Sequence, residues 1–213
     1  MSSTTAPARI GRRTTRLSVV IVWIVAILAA IGSALEVFSV IGGRVLLAFG
    51  GAEPRLPLTA MPQIVEATLR EGTTGYLVDA PFWLRVLGAT PAMLYILIAL
   101  VAALLITRVL RGIAASQPFS SKVRRSLTVL SLVFIIGGVL YGVLDTIAGR
   151  TIFEVSSIFG QGDQFPLGAD YAGLAVDLPR WPFFMIITGV VSLALSAAFK
   201  AGARLEEEAD GVV

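Results

Sequence analysis

Long apolar runs and short polar segments alternate along this chain. The first run is Leu17–Leu35, continuing to Ile41; the others are Pro91–Leu110, Leu127–Leu144 and Trp181–Phe199. A hydrocarbon core of about 30 Å is crossed by roughly 20 apolar residues in a helix, so each run predicts a membrane span. Pro91 and Pro182 stand where a first helical turn accepts proline. Trp23, Trp83 and Trp181 lie near predicted ends, where aromatic side chains collect at the interface. The first run has the basic start and the small residues Gly32, Ser33 and Ala34 of a cleavable leader. It exceeds the roughly 7–15 apolar residues of a leader core, so a retained span is expected.

The polar segments differ in sign. Arg9, Arg12, Arg13 and Arg16 precede the first run, and Arg108, Arg111, Lys122, Arg124 and Arg125 surround the short middle connection, with no acid among them. Segment 145–180 carries Arg150 and Arg180 against Asp145, Glu154, Asp163, Asp170 and Asp177. Lys and Arg concentrate on the cytoplasmic side of membrane proteins, so both termini and the middle loop are expected there, in a multi-pass protein of the plasma membrane. The expected organisation is a basic arm over 1–16, a hairpin over 17–110 with outer segment 42–90, and a basic loop over 111–126. A second hairpin over 127–199 with outer segment 145–180 and an acidic tail over 200–213 follow.

The outer segments partly repeat each other. Ile41-Gly42-Gly43-Arg44 after the first run matches Ile147-Ala148-Gly149-Arg150 after the third. Val78-Asp79-Ala80-Pro81-Phe82-Trp83 matches Val176-Asp177-Leu178-Pro179-Arg180-Trp181, and each copy leads into the next span. Because the matches keep their order, they predict two parallel hairpin repeats related by an axis along the membrane normal. Strands are expected at Arg44–Phe49, Tyr76–Asp79, Thr151–Val155 and Leu174–Asp177, with a short amphipathic helix at Ile64–Arg70. Opposite charges within each copy make Arg44 with Asp79, and Arg150 with Asp177, candidate pairs that fix the outer segment, with solvated loop charges as the alternative. The fold class is therefore all-α membrane: a four-transmembrane-helix bundle of two parallel hairpin repeats with a small extracytoplasmic cap containing short β-strands.

Composition narrows the chemistry. The 213 residues are 56% hydrophobic, with no Cys and no His. Disulfides, thiolate catalysis and the commonest metal ligand are thereby excluded, and no cofactor or metal is expected. The pI of 9.7 reflects a net charge of only +3, placed where a membrane protein needs it, so nucleic acid is not an expected partner. Membrane lipids are, because the basic middle loop suits anionic headgroups. The central portions of the spans carry no ionisable group. Glu36 and Asp145, each after a Leu at the outer end of a span, are candidate outer-mouth carboxylates; the alternative is that both reach interfacial water.

Every span carries small residues at helical spacing: Ala26, Ala30 and Ala34; Ala99 and Ala103; Gly138 and Gly142; Ser192 and Ser196. Such faces let helices approach closely where lipid offers no hydrophobic drive. Gly138 and Gly142 are the candidate seam of a homo-oligomer, with packing inside one chain as the alternative.

The middle loop and tail carry a resemblance. Gln117-Pro118-Phe119-Ser120 followed by Arg124-Arg125-x-Leu127, and the ending Phe199-x-x-Gly202-x-x-Leu205 with Glu206, Glu207, Glu208, Asp210 and a terminal Val, resemble a bacterial family of small four-span integral membrane proteins classed as a domain of unknown function. Ser116 stands where that family often has Gly, and Lys122 near where Asn is usual. Small helix-turn-helix regulators often accompany such proteins, so the resemblance implies a regulatory setting and no assigned activity. It makes Pro118, Phe119, Arg124, Arg125, Phe199, Gly202 and Leu205 candidate residues for a cytoplasmic or membrane protein partner. The expected function is a non-enzymatic interaction, regulatory or accessory subunit. An oligomeric small-solute or ion permease using Glu36 and Asp145 is the second expectation, and a membrane enzyme using Asp79 and Asp177 as an outer carboxylate pair the third.

Overall fold

The computed structural model describes residues 7–46, 54–115, 120–155 and 170–210, with side chains from Thr14 onward except at 205–207, 209 and 210. The elements run α1 (Pro7–Gly42), β1 (Ile64–Leu69), α2 (Phe82–Ala114), α3 (Ser121–Val155), β2 (Tyr171–Val176) and α4 (Phe183–Asp210). Turns of 3-10 helix lie at Leu58–Ala60 and Leu77–Asp79. Each long helix holds a stretch apolar enough to cross a bilayer, so this is a multi-pass membrane protein of the expected all-α class with one small sheet among the described residues.

The helices outrun the predicted spans. α2 begins at Phe82 rather than Pro91, and α3 continues to Val155, past Leu144. Hydropathy marks where lipid lies, whereas a helix ends where its backbone finds other partners. At about 1.5 Å per residue α3 is about 52 Å long, well beyond a core of about 30 Å. Pro91 thus sits inside α2, where it leaves the Leu87 carbonyl without an amide partner. The Thr90 hydroxyl donates to that carbonyl at 2.7 Å, which repairs the loss locally.

The expected strands are mostly corrected. Only Leu174–Asp177 falls largely in a strand, β2. Thr151–Val155 is the last part of α3, and Tyr76–Asp79 leads into a 3-10 turn. Arg44 makes an isolated antiparallel bridge with Arg55, while 47–49 lie outside the described residues. The helix expected at Ile64–Arg70 is instead β1, whose Ile64, Val65 and Thr68 are β-branched and favour extended backbone. β1 pairs antiparallel with β2, Ile64 opposite Val176 and Leu69 opposite Tyr171, with register shifts near both ends. The strand partner 107 positions away, not the local pattern, decides the conformation of a six-residue apolar run such as this.

The chain divides into two compact units, residues 31–96 with 139–182, and residues 1–30 with 97–138 and 183–213. In the first, the sheet unit, Leu58, Met61, Ile64, Leu77, Leu84, Ile152 and Tyr171 form one core. Full burial of such aliphatic side chains contributes about 1.5–3 kcal/mol each. Val37 and Val40 of α1 pack there on Ala89 and Ala92 of α2. In the second, the helical unit, α3 packs on α2 through Ala102, Leu105 and Leu130, and on α4 through its small residues. A Cβ on Gly189 would lie 3.0 Å from the Ser131 carbonyl, and Ser196 shares a 2.7 Å hydrogen bond with Thr128. Small residues such as these permit that approach.

Gly138 and Gly142 are both occupied from within the chain. A Cβ on Gly138 would meet Ile186 at 2.9 Å, and one on Gly142 would meet the Trp181 ring at 2.6 Å.

Candidate functional site

Asp145 anchors a polar site in the sheet unit. It lies on α3, 5% exposed, with both carboxylate oxygens engaged. The Gln63 side-chain amide donates to Oδ1 at 3.0 Å, and the Arg180 backbone N–H donates to Oδ2 at 2.7 Å. Gln63, 4% exposed, also donates to the Gly88 carbonyl at 3.2 Å, beside the Pro91 turn of α2. One buried amide thus ties the segment before β1 to two helices. Its two acceptors fix the amide orientation, since turning it over would set oxygen against oxygen. Gln63 Oε1 then has no hydrogen-bond partner among the described residues and lies against Gly88, 3.2 Å from where a Cβ would stand.

Other polar groups surround this anchor. Tyr141, one turn before Asp145, lies within electrostatic reach of Asp145, Glu36, Arg180 and Tyr95. Glu36 is exposed on α1 and interacts with Arg180. The two candidate carboxylates therefore share one neighbourhood, but in different ways. Glu36 is solvent- or lipid-facing, whereas Asp145 is buried and bonded and does not simply reach interfacial water.

The expected charge pairs are rearranged. Arg150 pairs with Glu154 at 2.9 Å, one helical turn on, because α3 continues through both. Asp177 pairs with Arg180 at 2.8 Å. The bond from Arg180, and then the Leu178 N–H, hold the Asp177 carboxyl below its ordinary value, and Asp177 in turn raises Arg180. Asp79 accepts the Tyr76 N–H at 3.1 Å instead of a guanidinium from Arg44. Short-range partners win because an exposed pair gains little from a distant one.

The motifs of each copy nevertheless meet, through other residues. A Cβ on Gly43 would fall 2.7 Å from the Val78 backbone, and one on Gly149 would lie 3.4 Å from Val176 Cγ1. The Arg85 guanidinium caps α1 by donating to the Ile41 carbonyl.

In the helical unit, Phe199 packs against Val109, Val123 and Leu127. Arg125 lines a cleft between α2 and α3 and also a groove between α3 and α4, which Arg124, Ser196 and Lys200 line as well. Gly202 is half-buried on α4. Pro118 and Phe119 lie outside the described residues, as does the Leu205 side chain.

Sequence reasoning missed Gln63, Gly88, Arg85 and the Arg180 backbone. Gln63 and Asp145 are 82 positions apart, and no periodicity announces a single buried amide. Among the described residues no three carboxylates gather as a metal site. No protein-family model, no curated protein and no solved structure matches this chain.

Proposed function

We propose that this chain is a non-enzymatic accessory or regulatory subunit of the plasma membrane, with both termini and the 111–126 loop cytoplasmic. The observation that carries the reading is the packing of α1. In its most apolar stretch 6% of residues are buried, against 22–33% in the other three helices. Val25, Leu28, Gly32 and Leu35 recur at helical spacing along one exposed face. A Cβ on Gly32 would meet nothing within 4 Å. Glycine inside a helix costs about 1 kcal/mol relative to alanine, a cost with no packing return among the described residues. Close approach of a partner helix is what such a glycine serves. The resemblance of the middle loop and tail to small four-span bacterial membrane proteins agrees with a regulatory setting.

Because the chain has no cysteine, single cysteines at Leu28 and Leu35 are clean handles for crosslinking in native membranes. A discrete adduct with one other membrane protein, recovered also by affinity capture in mild detergent, is the expected result. Adducts with lipid alone would remove the proposal. The same cysteine approach at either terminus checks the cytoplasmic placement by labelling from each side.

One observation favours a second reading, an oligomeric small-solute or ion permease. Four chain segments bring Glu36, Tyr95, Tyr141, Asp145 and Arg180 into one electrostatic neighbourhood. Adducts between identical chains at Leu28, together with a flux lost on neutralising Glu36 and Asp145, would favour this second reading. An unchanged flux after both substitutions would remove it.

A further inference from the structure

We propose that the cleft between the end of α2 and the start of α3 binds one anionic phospholipid, its phosphate held by Arg108, Arg111, Lys122 and Arg125. This site is separate from the α1 face and does not depend on the subunit reading. The cleft has a volume of about 710 Å³. That lies in the range of roughly 300–1,000 Å³ typical of small-ligand sites and far exceeds what a phosphate ion fills.

Its lining is graded along the helices. On α2, Leu105, Arg108 and Arg111 follow at three-residue steps on one face; on α3, Lys122, Arg125 and Val129 follow at steps of three and four residues in the opposite sense. Leu105 and Val129 therefore stand at the deep, apolar end, while Arg111 and Lys122 stand where the helices leave the apolar stretch. Among the described residues none of the four cations has a carboxylate partner. Four like charges on one cleft repel one another, and an anion between them relieves the repulsion. The N-terminal amides of α3, which begins at Ser121, add the positive end of a 35-residue helix dipole to the same place. Ser126, buried on the wall, supplies a hydroxyl. A cationic rim above an apolar floor matches the headgroup and upper acyl chain of a phospholipid, whereas a free phosphate would leave the floor unused.

The test is native mass spectrometry of the full chain in mild detergent, titrated with phosphatidylglycerol or phosphatidylcholine. One retained phosphatidylglycerol is expected. Each cation that lines the cleft is expected to contribute about five-fold, the scale of one basic residue held against anionic headgroups, so Arg108→Gln with Arg125→Gln should lower retention in detergent about 25-fold. Arg124→Gln, on the same helix but outside this cleft, should change it less than about two-fold. Equal retention of phosphatidylcholine, or an equal loss with Arg124→Gln, would overturn the site in favour of diffuse surface charge. Displacement of the lipid by millimolar inorganic phosphate would reassign the cleft to a soluble phosphate compound. Should the double variant fail to insert, photoactivatable phosphatidylglycerol on the wild-type protein decides. Adducts at Leu105 or Val129 support the site, and adducts confined elsewhere overturn it.

Discussion

Gly43 and Gly149 occupy the same place in two copies of one motif, yet one ends a helix and the other is passed through by one. Gly43 has φ +65° and closes α1, and its carbonyl accepts the Leu56 amide at 3.0 Å. Gly149 lies inside α3, which runs on to Val155. The neighbouring residues account for the difference. Gly42-Gly43 is a double glycine, whose backbone loses the most freedom in a helix, whereas Ala148-Gly149 begins with the best helix former. Beyond Gly149, Arg150 and Glu154 pair across one turn and Ile152 is fully buried, both of which reward a continued helix. Both copies still bring the glycine onto the valine of the second motif. Both also tie their helix to the chain leading into the next span, with donor and acceptor exchanged. Arg85 reaches back to the Ile41 carbonyl, and Asp145 accepts the Arg180 amide. A repeated motif here preserves a contact and leaves secondary structure to its surroundings.

Gly43→Ala is the strongest way to break this comparison. Alanine is strained at that φ and its Cβ would overlap the Val78 backbone, so a loss of at least about 2 kcal/mol is expected in thermal unfolding in detergent. Gly149→Ala adds only an ordinary contact inside a helix and should fall between neutral and about 1 kcal/mol stabilising. Equal losses at the two sites would show that the copies do not differ as described.

The polar tie of the second copy is tested next. Gln63→Leu strips Asp145 Oδ1 of its donor in a buried site and should cost about 1–3 kcal/mol. Combined with Asp145→Leu, the loss should be smaller than the sum of the single losses. Strict additivity would mean that the bond does not hold the two segments together.

Tyr171 sharpens the comparison on the sheet that precedes the second motif. Burial first, then Asp170 and Asp79, push its hydroxyl up to about 12 from an ordinary 10. Raised in the folded state, this group contributes stability that is complete below pH 10 and lost as pH rises toward 12. Tyr171→Phe should abolish that alkaline limb. It should also leave neutral-pH stability unchanged or up to about 1 kcal/mol higher, since the hydroxyl has no partner among the described residues.

The smallest effect is expected at Asp177. Its carboxyl is held low by Arg180, so its contribution is present above the ordinary value of 3.8 and fades as pH falls through the lower folded value. Asp177→Asn should flatten that acid limb slightly, and Arg150→Ala should leave it alone. A response to Arg150→Ala would restore the pair that sequence reasoning expected.

Four spans and the all-α class were legible in the chain, because burial in lipid demands long apolar runs and close packing demands small residues at fixed spacing. The helix ends at Phe82 and Val155, the strand at Ile64–Leu69 and the partners of Asp145 were not. Each of these depends on which distant backbone or side-chain group arrives to satisfy a hydrogen bond. The local sequence states the need for a partner, and only the tertiary structure supplies one.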